Sequence, residues 1–180
     1  MSIQHGIAEG RGRHDRVHRD PGIARLRLQS GPLKDADVDV PETRYAKTAD
    51  GVYIAYQTVG NGPLDLVLVC YLLHIEHIWT WPVAASFLRR LATFSRLILF
   101  DRRGTGMSDH LIAKDQQLSV DAQMDDIRAV MDATGSERAV LLSIGLFSTA
   151  SVFAATFPER TVGLVGYGAA ARTAWAPDYP

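Results

Sequence analysis

Phe100-Asp101-Arg102-Arg103-Gly104-Thr105-Gly106-Met107-Ser108-Asp109 is the most specific stretch of this 180-residue sequence. It follows a short apolar run at 97–100, read as a buried strand, and its two glycines permit tight backbone turns directly after that strand. A nucleotide-binding loop is one reading of such a turn. Gly104-Thr105-Gly106 lacks the third glycine of a dinucleotide fingerprint, however, and no G-x-x-x-x-G-K-[ST] occurs anywhere in the chain.

Outward from this loop, short apolar runs alternate with helical patterns. Upstream, residues 45–48 and 52–59 read as a strand pair around Ala49-Asp50-Gly51, a hairpin-type turn. The near-continuously apolar run 66–72 reads as a strand buried on both faces of a parallel sheet. Residues 83–94 carry Phe87, Leu88, Leu91 and Phe94 as a helical stripe. Downstream, residues 116–134 place Val120, Met124, Ile127, Val130 and Met131 at helical spacing, with Ser119 as N-cap and Gly135 as the stop. A strand at 139–144, a helix at 147–157 ended by Pro158, and a last strand at 161–167 complete the pattern. The expectation is an α/β protein with a doubly wound, mainly parallel sheet.

Several segments resemble the α/β-hydrolase superfamily. Residues 101–108 resemble the D-x-R-G-x-G-x-S loop after its fourth strand, residues 50–56 its second strand, and residues 124–132 the helix before its nucleophile strand. Phe157-Pro158-Glu159-Arg160 resembles the "P-E-R" that follows the nucleophile helix. Residues 87–92, 94–98 and 175–180 are most similar to hydrolase domains that stand beside class III adenylate or guanylate cyclases in bacteria. The resemblance runs from about Arg44 to Pro180 and implies a truncated hydrolase fold, about six of eight strands in the order 1-2-4-3-5-6-7-8. It also implies that a final helix is missing beside the one at 83–94. That leaves the sixth strand as an open edge and predicts a homo-oligomer or a complementary chain covering it.

The superfamily places a nucleophile, usually serine, at the centre of G-x-S-x-G on a sharp strand-to-helix turn. Here the stretch is Ser143-Ile144-Gly145-Leu146-Phe147, and the resemblance puts Gly145 at the nucleophile position, with Phe147 where a small residue belongs. Ser143 is the alternative nucleophile, in a register that puts Leu141 in the crowded turn; Ser148 and Ser151 fall within the helix. Cys70 lies on another strand and reads as a small buried apolar residue. The oxyanion loop after the third strand, residues 69–77, lacks the usual glycine. Beyond Phe147 the acids are Glu159, read as capping or pairing with Arg160, and Asp178; there is no histidine. His74, Glu76 and His77 form a metal-like cluster that the related domains carry without metal, and His14 and His18 are spaced i, i+4 in the tail. No metal and no cofactor is therefore expected.

Composition bounds the rest. Nineteen Lys+Arg against twenty Asp+Glu provide no global field for nucleic acid or an anionic membrane. The longest apolar run, residues 66–73, is far short of the ~20 residues that span a bilayer, and the Arg-, Asp- and His-rich start does not read as a signal peptide. One cysteine cannot form an internal disulfide and suits a reducing, cytoplasmic compartment. Residues 1–42, broken by glycine and proline, read as a flexible tail, and residues 43–180 as a partial hydrolase-like domain. Three functions stay open: a catalytically inactive or truncated hydrolase-like protein, serving as a regulatory module or surviving as a remnant; an esterase using Ser143 with acid and base from another chain; and a non-catalytic binding module.

Overall fold

A computed structural model describes residues 40–70, 74–110 and 119–168. The expected tail lies outside these residues except for Val40, Pro41 and Glu42.

Among the described residues six strands form one sheet: β1 (Arg44–Lys47), β2 (Tyr53–Val59), β3 (Asp65–Cys70), β4 (Arg96–Phe100), β5 (Ala139–Ile144) and β6 (Thr161–Tyr167). Their order is β1-β2-β4-β3-β5-β6. β1 and β2 pair antiparallel with each other, as do β2 and β4, whereas β4, β3, β5 and β6 run parallel. The central strands β3, β4 and β5 bury both faces because their sequences are apolar without alternation; Val67, Leu68, Leu97, Ile98, Leu99 and Leu141 are all within 1% of full burial.

Among the described residues three α-helices pack on the sheet: α1 (Pro82–Ala92), α2 (Val120–Ala133) and α3 (Phe147–Thr156). The β3–α1–β4 crossover steps one way along the sheet, while β4–α2–β5 and β5–α3–β6 step the other. Right-handed crossovers then place α1 on one face and α2 with α3 on the other. The core divides accordingly. Val67, Val69, Ile98 and Leu141 pack with Ile127, Val130 and Phe153, and Leu66, Leu68, Leu97 and Leu99 pack with Ala85 and Leu88.

Local signals explain the helix ends. Ser119 caps α2, its hydroxyl accepting from the Ala122 N–H at 3.1 Å. Proline 82 opens α1, where the missing N–H costs nothing. α1 stops at Ala92, two residues before the expected Phe94, and only Leu88 of the expected stripe is buried. Phe87 turns instead toward a strip of β5 and β6 that nothing among the described residues covers. Val165 and Tyr167 stand exposed on that strip, and β6 pairs only with β5 among the described residues. No described helix is long and apolar enough to cross a membrane.

Candidate functional site

In an open parallel sheet the crevice for a ligand lies beyond the carboxyl ends of two neighbouring strands whose connections leave in opposite directions. Here those strands are β3 and β5. Their ends meet at a backbone bridge between Cys70 and Gly145. β5 stops at Ile144 and α3 begins at Phe147, so the chain turns from strand to helix within two residues. Gly145 makes that turn at φ 75°, a left-handed conformation that side chains resist. The corner thus stays sharp despite Phe147, which is half-buried at the start of the helix.

The 100–109 loop frames the corner from the β4 side. Asp101, fully buried at the end of β4, accepts from the Ile75 N–H at 3.0 Å and the Met107 N–H at 2.8 Å. One carboxylate thereby fixes both the segment after β3 and the segment after β4. Burial raises its pKa, while these two hydrogen bonds pull it back. Ser108 donates to the Asp101 carbonyl at 2.6 Å and accepts from the Ala55 N–H at 2.9 Å, stapling the loop to β2. Asp109 repeats the staple through its carboxylate on the Tyr53 N–H.

Arg103, whose side chain is 1% exposed, ties this loop to α2 and to the β1–β2 turn. Its guanidinium lies 2.7 Å from Asp126, itself fully buried, and 2.7 Å from Asp50. Burial pushes Asp126 up to about 6 against the pull of Arg103. Asp50 is held low, chiefly by its hydrogen bond from Arg103. The sequence reading passed over this triad. Its one legible sign is that Asp126 sits four residues before Val130, on the buried face of α2.

The hydroxyls and the thiol near the corner differ sharply in access. Ser143 is fully buried in β5 on the face under α2 and α3, and its Oγ has no hydrogen-bond partner. Ser148 is exposed, Ser151 donates to the Ser148 carbonyl at 2.9 Å, and neither meets a histidine among the described contacts. Cys70 is half-buried on the opposite face, packed against the α1 cluster.

The remaining polar candidates serve the scaffold. Trp81 donates through Nε1 to His77 Nε2 at 3.2 Å, and the Glu76 carboxylate accepts from Thr43 at 3.3 Å. Thr43 in turn accepts from Gln57, which receives the Trp79 indole N–H at 2.8 Å in the core. His74 stands beside His77 with ring centroids 6.3 Å apart. Among the described residues no three His, Cys, Asp or Glu side chains converge as metal ligands. Glu159 is exposed, and Arg160 turns away from it to Asp132 at 2.7 Å and to the Ser136 and Glu137 carbonyls, because the bend at Pro158 aims the guanidinium at the α2–β5 loop. The expected Glu159–Arg160 pair is replaced by these bonds. Asp178, His14, His18 and residues 71–73 of the oxyanion loop lie outside the described residues.

The corner therefore offers a backbone turn without a nucleophilic side chain, beside a hydroxyl that solvent does not reach. A hydroxyl attacks only when a base takes its proton, and no described side chain stands within reach of Ser143 to do so.

No family model matches the sequence, and no curated protein matches it. Solved structures do. An epoxide hydrolase from Vigna radiata superposes with a TM-score of 0.63 at 16% identity, over 78% of this chain and 44% of that one. An esterase from Rhodococcus sp. ECU1013 gives 0.58 at 29% identity, over 70% and 45%. A hydrolase from Pseudomonas aeruginosa PA01 gives 0.59 at 23%, over 68% and 44%. The chain spans less than half the length of each of these proteins. With the strand order and the strand-to-helix corner, these likenesses identify the chain's architecture as part of an α/β-hydrolase fold.

Proposed function

We propose that this chain is a non-catalytic α/β-hydrolase-like protein, a regulatory module or the remnant of a hydrolase. The observation that carries this reading is the left-handed Gly145 at the corner, with the nearest strand hydroxyl, Ser143, sealed beneath α3 without a partner. In the hydrolase scheme the corner residue attacks the substrate and a histidine removes its proton. A glycine has nothing to attack with, and Ser143 faces the core rather than the crevice. The cyclase association, a bacterial source and a cytoplasmic location rest on the sequence resemblance and the lone cysteine; the solved neighbours add hydrolases only.

A fluorophosphonate probe tests this reading. The expected outcome is no covalent labelling of the full chain, and no hydrolysis of p-nitrophenyl esters above buffer. Labelling that disappears in Ser143→Ala would overturn it in favour of an esterase whose acid and base come from another chain.

A further inference from the structure

The face that carries α1 holds a groove of about 830 Å³ between α1 and the β5–β6 strip. Trp81, Val83 and Phe87 line one wall, and Ile144, Val165 and Tyr167 the floor; no charged side chain contributes to the lining. Two strands at ~4.8 Å spacing make a floor about 10 Å wide, the diameter of one helix. The same surface carries a helix with an outward apolar ridge, since Val83 is 85% exposed, Trp81 54% and Phe87 45%. Hole and knob lie side by side on one patch. A surface built in this way is complementary to itself under a two-fold rotation.

We propose that the occupant of this groove is a second copy of the chain. The α1 ridge of one copy lies on the β5–β6 strip of the other and receives the partner's ridge on its own strip. Two α1 helices then form a single middle layer between two sheets. The area is adequate. At ~200 Å² per aromatic side chain, Trp81, Phe87 and Tyr167 leave roughly 350 Å² uncovered. With Val83 and Val165 the patch approaches ~500 Å², so two patches bury ~1,000 Å², the lower bound of a specific interface. The uncharged lining sets no like charges against each other across the two-fold. This assembly does not depend on whether the corner is catalytic.

Sedimentation equilibrium of the full chain is expected to give twice the mass of the 19.8 kDa chain at micromolar concentration. Val165→Glu, which puts an unpaired charge on the floor, is expected to weaken the association at least ~100-fold while circular dichroism keeps the wild-type spectrum. Should that variant fail to fold, a second measurement decides. In a Cys70→Ser background, a mixture of Val83→Cys and Val165→Cys chains is expected to form a disulfide-linked heterodimer on mild oxidation, and the Val165→Cys chain alone is not. A stable monomer, an open-ended polymer, cross-linking confined to Val165→Cys pairs, or a dimer unaffected by Val165→Glu would each overturn the proposal.

Discussion

A methyl group placed on Gly106 would lie 1.9 Å from Asp101 Oδ2, closer than any two such atoms can approach. The glycine also holds φ at 54°. Both glycines of the loop are left-handed, Gly104 at φ 75°. One of them is required because a carboxylate fills the space that its side chain would occupy, and that carboxylate organises two segments of the candidate site.

Gly106→Ala is expected to destabilise the domain by about 3 kcal/mol, combining a left-handed alanine with displacement of the Asp101 carboxylate. Gly163→Ala, in β6 with nothing within 4 Å of the added carbon, is the control and is expected to change stability by under ~1 kcal/mol. Urea unfolding of the two variants separates a steric requirement from a general intolerance of substitution.

Removing Arg103 leaves Asp126 buried without its cation. Arg103→Met is expected to cost about 3–5 kcal/mol at pH 7, as for a broken buried pair. The loss should shrink at pH 5, where Asp126 carries a proton and needs no partner. A loss that stays constant across this range would show that packing of the arginine stem, rather than its charge, holds the loop to α2.

The pH dependence of the wild-type chain has two opposing limbs. Asp126 is raised to about 6, so between its unfolded value near ~4 and 6 the folded protein binds a proton that the unfolded chain does not. Its contribution therefore increases as pH falls from 7 to 5. Asp65 is held low, first by its hydrogen bond from Arg96, and its contribution is present above the ordinary carboxylate range and lost as pH falls below it. Urea midpoints measured from pH 7 to 3 are expected to rise and then fall, with the rise smaller in Asp126→Asn, where Asp101, also raised by burial, supplies what remains.

Gly145→Ser returns a hydroxyl to the corner without returning a base. The variant is expected to lose about 1–2 kcal/mol of stability because serine resists a φ of 75°. It is expected to show no burst of p-nitrophenol from p-nitrophenyl acetate. A burst would reveal a proton acceptor close to residue 145.

Ser143→Ala removes a buried hydroxyl that has no partner and is expected to be neutral or to stabilise by up to ~1 kcal/mol. A loss above ~2 kcal/mol in urea unfolding would show that the hydroxyl is satisfied in solution, for instance by a buried water.

The fold was legible because its signals are local and redundant. Leu97 to Phe100 is apolar without alternation, Ser119 caps a helix, and Pro158 ends one; each structure follows from a few adjacent residues. Strand order came from the resemblance, since no run of apolar residues states which neighbour it will pair with. Gly145 was legible as a missing nucleophile, whereas the survival of the sharp corner despite Phe147 was not. The Arg103–Asp126 contact joins residues 23 apart, and the Gln57–Trp79 bond joins residues 22 apart. Such pairs come together only after the sheet has set their spacing, so no local pattern announces them. Phe87 misled in a simple way: the period of α1 gave its side of the helix correctly but not what lies beside it.

The handedness of the crossovers has one more consequence. A parallel strand added beside β6 would send its right-handed connection to the side of α2 and α3, as the β5–α3–β6 unit does. Lengthening the sheet in sequence order therefore leaves the α1 side bare, however many units are added. Growth of the sheet and closure of its open side are separate events, and closure has to come from polypeptide that arrives out of turn. Among the described residues nothing that precedes β6 shields Val165 and Tyr167, so a nascent chain of this architecture needs protection at this strip.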